Sequence, residues 1–185
     1  IDLGPGQAPL KAEDYYKSNK PNEYVFVIVD HISLLAPEKG DTLHQAIGKL
    51  SSVYLLNLRN SFKATCIVDQ QQAQSQEAVK NLKHNRLKPT LDGLADNKLT
   101  QRDFDYILGL FSPYRHEIPE YHRYNIKKFQ DNIRFLEILG GREGGGNTTA
   151  ALYFDGAVNY FEELPKYDDL YNLERYNNLL EMIRK

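Results

Sequence analysis

The chain has 185 residues, 41% of them hydrophobic and 26% charged, with a formal net charge of −2 and one cysteine, Cys66. That is enough chain to bury the core of one domain, and the near-neutral balance excludes a global pull toward nucleic acid or anionic lipid, so any basic surface has to be local. A lone cysteine excludes an internal disulfide, and no apolar run approaches the ~20 residues of a membrane-spanning helix, so a reducing, cytoplasmic setting with no membrane partner is expected.

Residues 1–22 are rich in Gly, Pro, Lys and Asn and read as an extended lead-in. Because the chain starts with Ile1 rather than Met, a piece of a longer protein or a processed product is expected. Residues 24–29 (YVFVIV) form an unbroken apolar run, the pattern of a strand buried on both faces of a parallel sheet. The run stops at Asp30, with His31 and Ser33 just beyond. The APEKGD loop at 36–41 breaks the chain, and Thr42 followed by Gln45 has the form of a capping box. Leu43, Ile47, Leu50, Tyr54 and Leu58 then recur at helical spacing, predicting a helix to about Asn60. Residues 64–68 read as a second buried strand, with Cys66 as a small core residue, ending in Asp69 and Gln70–Gln72. A strand–helix–strand order requires a right-handed crossover and a parallel pair.

Residues 73–97 are polar and read as part helix, part loop, and 105–111 (DYILGLF) as a third strand. The aromatic, charged stretch 112–128, with Pro113 and Pro119, reads as an excursion outside the core. Residues 133–139 (IRFLEIL) alternate as a half-buried strand does, and GGREGGGN at 140–147 reads as a flexible turn. Two further strands, 148–154 and 157–161, flank Asp155-Gly156, a two-residue hairpin signal. Leu170, Leu173, Tyr176, Leu180 and Ile183 mark an amphipathic closing helix over 165–185. The expected class is α/β: a parallel sheet core that gives way to C-terminal antiparallel hairpins, with helices on both faces.

A carboxylate at the carboxyl end of a parallel strand lies where open α/β sheets bind ligands. In nucleotide hydrolases that place belongs to the acid that orients Mg²⁺ against the phosphates; the alternative for Asp30 is a residue that merely ends its strand. Gln70 or Gln71, at the end of the next strand, suits a hydrogen bond to a γ-phosphate or an attacking water, or else is a plain polar exit. Lys80, Lys83, His84, Arg86 and Lys88 cluster in a short stretch; this is a phosphate-contacting loop or a solvated face. The five histidines have no metal-ligand spacing with Cys66 or the acids, so no zinc site is expected.

Four stretches in order resemble the ATPase domain of DnaB-type replicative helicases. VIVDHISLL resembles the family's Walker B strand, TCIVDQQQAQ its strand ending in a phosphate-sensing Gln, and LADNKLTQRDFDYIL the stretch that ends in a Gln-Asp-Ala-Asp motif. FLEILGGREGGGNTTAALYFDGAVNYFEEL resembles its closing hairpin. Together these cover residues 24–164.

The resemblance implies the C-terminal part of a RecA-like fold over 23–164. It makes Asp30 the Walker B acid, holding Mg²⁺ through water, and Gln71, or Gln70 in a register shifted by one, the sensor. Arg142 would be an arginine finger that reaches the ATP of a neighbouring subunit. It further implies single-stranded DNA as partner, with Lys80, Lys83, Arg86 and Lys88 on its backbone, and a homo-hexamer in the full-length protein. The sequence departs from the pattern at Gly140 and Gly141, where the family usually has Lys and Gln, at Asp69, and at Gln101–Asp105, which read Q-R-D-F-D. It contains no G-x-x-x-x-G-K-[ST] phosphate loop, so this chain alone is expected not to hydrolyse ATP. The competing expectation is a non-catalytic RecA-fold module that binds a protein or DNA.

Overall fold

The computed structural model describes residues 19–71, 88–91, 100–142, 144 and 148–183, with backbone alone at 100 and 183. The chain divides into two compact units, Ile1–Gln71 and Gln72–Lys185.

The first unit is built on two parallel strands, β1 (Phe26–Val29) and β2 (Thr65–Val68), in the register Phe26↔Thr65 to Val29↔Val68. A crossover joins them, containing α1 (Leu43–Lys49), a π-helical turn (Leu50–Leu55) and α2 (Leu56–Phe62). Its start is the predicted capping box: Thr42 Oγ1 accepts from the Gln45 amide and Gln45 Oε1 from the Thr42 amide.

The buried face of this helix differs from the expected one. Ile47, Ser51 and Leu55 are buried, while Tyr54 is exposed. The π turn is wider than an α turn, so a spacing of four, not a mixture of three and four, keeps residues in line through it. The Cys66 thiol donates to the Leu55 carbonyl (3.7 Å), and burial pushes its pKa up. It is half-buried rather than the core residue expected, and its environment disfavours the nucleophilic thiolate. β1 is not buried on both faces: Phe26 and Ile28 are 59% and 68% exposed, whereas Val27 and Val29 are half-buried.

The second unit centres on an antiparallel sheet of order β3-β6-β7-β8, comprising Tyr106–Phe111, Ile133–Gly141, Thr149–Asp155 and Tyr160–Glu163. A short helix, α3 (Thr100–Asp103), precedes β3. Between β3 and β6 lie a hairpin, β4 (Glu120–Tyr121) and β5 (Tyr124–Asn125), and the short α4 (Ile126–Phe129).

The stretch read as an excursion outside the core contributes buried residues to it. Tyr124, Ile126 and Phe129 are buried in one cluster with Phe111, Ile133 and Phe135. Phe135 is its centre, with Tyr121 and Tyr124 edge-on to its ring at centroid distances of 4.8 and 5.7 Å. Aromatic pairs in this geometry add stabilisation beyond their buried area. Glu137, one pleat along β6, is only 6% exposed and accepts a hydrogen bond from the Tyr121 hydroxyl. His122 and Arg123 form the two-residue β4–β5 turn, both with positive φ (46° and 68°). Arg123 is tied to Tyr167 by a 2.8 Å hydrogen bond and lies over its ring.

Two boundaries shift as well. Gly140 and Gly141, expected in a flexible turn, are the last residues of β6, paired with Ile107 and Tyr106. The β7–β8 connection has four residues, 156–159, rather than two: Asp155 pairs with Tyr160, and its side chain accepts from the Ala157 amide. The closing helix, α5 (Leu170–Ile183), buries Leu173 and Leu180 on the core but leaves Leu170 exposed.

Candidate functional site

Asp30 follows β1 directly and is exposed. The regular ladder stops here. The Asp69 amide donates to the Val29 carbonyl (3.0 Å), so the Asp69 carbonyl should receive the amide of residue 31; it receives that of Ile32 instead (2.9 Å). One residue is therefore inserted at the strand end, as in a β-bulge, a device that re-aims side chains. His31 absorbs the insertion in a left-handed conformation (φ 73°, ψ 83°), uncommon for a residue with a Cβ, and Ile32 behind it is completely buried.

Across this hydrogen bond stands Gln70. His31 Nε2 and Gln70 Nε2 are both buried and have no hydrogen-bond partner among the described residues. Buried polar atoms are nearly always paired, and these two orphans occur together at one strand end. Gln71 is exposed. The parallel pair thus brings Asp30, Gln70 and Gln71 to one end. His31 was legible only as a neighbour of Asp30, since neither its left-handed backbone nor its unpaired nitrogen leaves a mark in sequence. No group of three or more His, Cys, Asp or Glu side chains suited to a metal occurs among the described residues. Mg²⁺ makes less demand: one or two carboxylates and retained waters suffice beside phosphates, and Asp30 and Asp69 fit that role.

Arg142 belongs to the second unit, one step past β6. Its amide donates to the Asp105 carbonyl (3.0 Å), prolonging the β3–β6 ladder beyond the Tyr106↔Gly141 pair. Its guanidinium donates through Nη2 to the Arg102 carbonyl (2.5 Å) and lies 3.5 Å from Asp105 Oδ1 through Nη1, while the side chain stays 49% exposed. Gly141 is required just before it: a Cβ there would lie 2.8 Å from the Gly144 carbonyl oxygen and 3.1 Å from the Tyr106 ring. α3, which supplies the Arg102 carbonyl, is anchored by Gln101 Nε2 donating to the Leu91 carbonyl (2.6 Å). Lys88 is exposed; Lys80, Lys83 and Arg86 lie outside the described residues.

Solved structures share this architecture. Over 78% of the chain it superposes on the ATPase domain of G40P with a TM-score of 0.63 at 21% identity. This is the fold of DnaB-like helicase ATPase domains. Over 74% it superposes on a DnaB-like replicative helicase, solved in a study of its interactions with primase, with a TM-score of 0.58 and again 21% identity. The chain spans 46% of the first and 30% of the second. No protein-family model and no curated protein matches the sequence. Within this RecA-like fold, a parallel strand pair ending in Asp30 and Gln70 is followed in sequence by the antiparallel sheet that carries Arg142. No described helix is long and apolar enough to cross a membrane.

Proposed function

We propose that this chain is the C-terminal portion of an ATP-dependent DNA helicase of the DnaB-like type, working as a homo-hexameric ring on single-stranded DNA. The observation that carries the reading is the end of the β1–β2 pair, where Asp30 stands beside the unpaired nitrogens of His31 and Gln70. A carboxylate flanked by buried donors suits a phosphate group and its hydrated cation. Asp30 would hold Mg²⁺ through its waters, and the cation supplies charge neutralisation on ATP. Gln70, half-buried with an unpaired Nε2, is the better placed glutamine to donate to a phosphate oxygen, with Gln71 on the exposed side. Arg142 is exposed enough to meet the nucleotide of a neighbouring subunit and to stabilise charge that develops on the phosphates. Lys80, Lys83, Arg86 and Lys88 would follow the DNA backbone.

The phosphate loop must come from sequence outside this chain. In the intact protein, Arg142→Ala is expected to lower ATP turnover by roughly 10³-fold or more, with nucleotide affinity nearly unchanged, because the finger acts on the transition state. Steady-state hydrolysis and equilibrium binding of a labelled nucleotide measure the two quantities. Loss of binding at unchanged turnover per bound nucleotide would sink the assignment. The absence of the phosphate loop from the sequence favours a second reading, a RecA-fold module that binds without hydrolysis; it predicts an intact protein with no DNA-stimulated ATPase at all.

A further inference from the structure

We infer that Asp105 is the positioning residue for Arg142. The inference rests on the reading of Arg142 as a finger and extends it to the group that aims it. β3 begins where β6 ends, and the antiparallel pairing sets Asp105 against Arg142: their backbones are joined by the Arg142 amide and Asp105 carbonyl (3.0 Å). On the same residue, the carboxylate lies 3.5 Å from Arg142 Nη1, and the preceding turn offers the Arg102 carbonyl to Nη2.

A free arginine on a glycine-flanked turn samples many rotamers, and ordering it at the moment of reaction would be costly. Two acceptors on one side of a rigid, planar fork fix its direction beforehand. A guanidinium has five N–H donors; the Arg102 carbonyl takes one and the Asp105 carboxylate pairs with the charge at Nη1, leaving donors for an oxyanion. The ion pair is half exposed on both sides, so its worth to folding is small. What it supplies is orientation. Gly141 contributes by letting the Tyr106 ring lie close against the strand end, which keeps the start of β3 and the end of β6 together.

This separation of orientation from stability gives the test. In the intact ATP-hydrolysing assembly, Asp105→Asn should lower kcat about tenfold while KM and Tm stay near the wild-type values, and Asp105→Glu should restore part of the loss. Combined with Arg142→Ala, Asp105→Asn should add nothing, because it acts through the arginine. A further loss in the double variant, or a fall in Tm or a rise in KM that accounts for the lower rate, overturns the positioning role. An Arg142→Ala variant with full turnover overturns the finger reading and this inference with it. An inactive Arg142→Ala beside a fully active Asp105→Asn overturns this inference alone.

Discussion

The two units differ in how they treat the polar groups buried on their strands. In the second, Arg134 is buried in β6 yet pairs with Asp131 (3.0 Å), bonds two backbone carbonyls and lies over the Phe154 ring. Glu137, equally buried, is met by Tyr121. In the first unit, the strand ends bury His31 Nε2 and Gln70 Nε2 with no partner, and these are two of three such side-chain atoms among the described residues, Asn177 Oδ1 being the third. The central strands differ too: Phe135 and Ile133 on β6 are wholly enclosed, while Phe26 and Ile28 on β1 are exposed. A polar group that folding leaves unsatisfied costs stability, and such costs gather where a protein meets a ligand. The second unit meets its buried charges with partners of its own, and the β1–β2 end leaves two buried nitrogens open, as the proposed nucleotide site requires.

Substitutions can break this contrast or sharpen it. The largest effect is expected at Phe135. Its truncation to Ala should cost about 3–5 kcal/mol in urea unfolding, because a ring enclosed by Phe111, Tyr121 and Tyr124 leaves a cavity its neighbours fill only in part. A loss under about 1 kcal/mol would show that the aromatic cluster is not the unit's centre.

Next comes Tyr121→Phe, which strips the buried Glu137 carboxylate of a donor and should cost about 1–3 kcal/mol. It should also change the alkaline limb of stability. Burial, and after it the Glu137 hydrogen bond, push the Tyr121 pKa above its ordinary value, and burial does the same for Tyr124 and Tyr176. A raised folded pKa means that the unfolded chain loses the proton first. The contribution is therefore complete below the ordinary tyrosine pKa of about 10 and declines as pH rises beyond it. Chemical denaturation between pH 8 and 11 should show this fall in the wild type and a shallower one in Tyr121→Phe. Equal slopes would disconnect Tyr121 from the alkaline limb.

The smallest effect has the opposite sign. His31→Gly relieves a left-handed residue and removes an orphaned nitrogen, offset by glycine's greater freedom when unfolded, so a gain of at most about 1 kcal/mol is expected. Nucleotide-linked function should fall in the same variant. A loss of stability at unchanged function would place His31 among the ordinary packing residues.

Much of this was legible in the sequence where local chemistry decides. The Thr42–Gln45 capping box, the parallel pair and the strand that ends at Asp30 follow from residue type and spacing alone. What was missed depends on tertiary context. No local signal in residues 112–128 says that Tyr124 and Ile126 fold back onto Phe135, because the proline-punctuated pattern looks irregular until β6 lies beneath it. The π turn displaced the helix face because periodicity assumes a uniform pitch. Asp105 could be placed in a degraded motif, but its position opposite Arg142 required the β3–β6 register.

The β4–β5 turn has a bearing on how far this sequence lies from its own optimum. A two-residue hairpin with both φ values positive ordinarily selects Asn-Gly, and here His122 and Arg123 occupy it. The conformation is kept by tethers at its flanks, Tyr121 on Glu137 and Arg123 on Tyr167. Selection has thus left headroom at this corner: a chain that carried the conventional dipeptide would hold the same turn unaided, and the surrounding side chains would be free to drift.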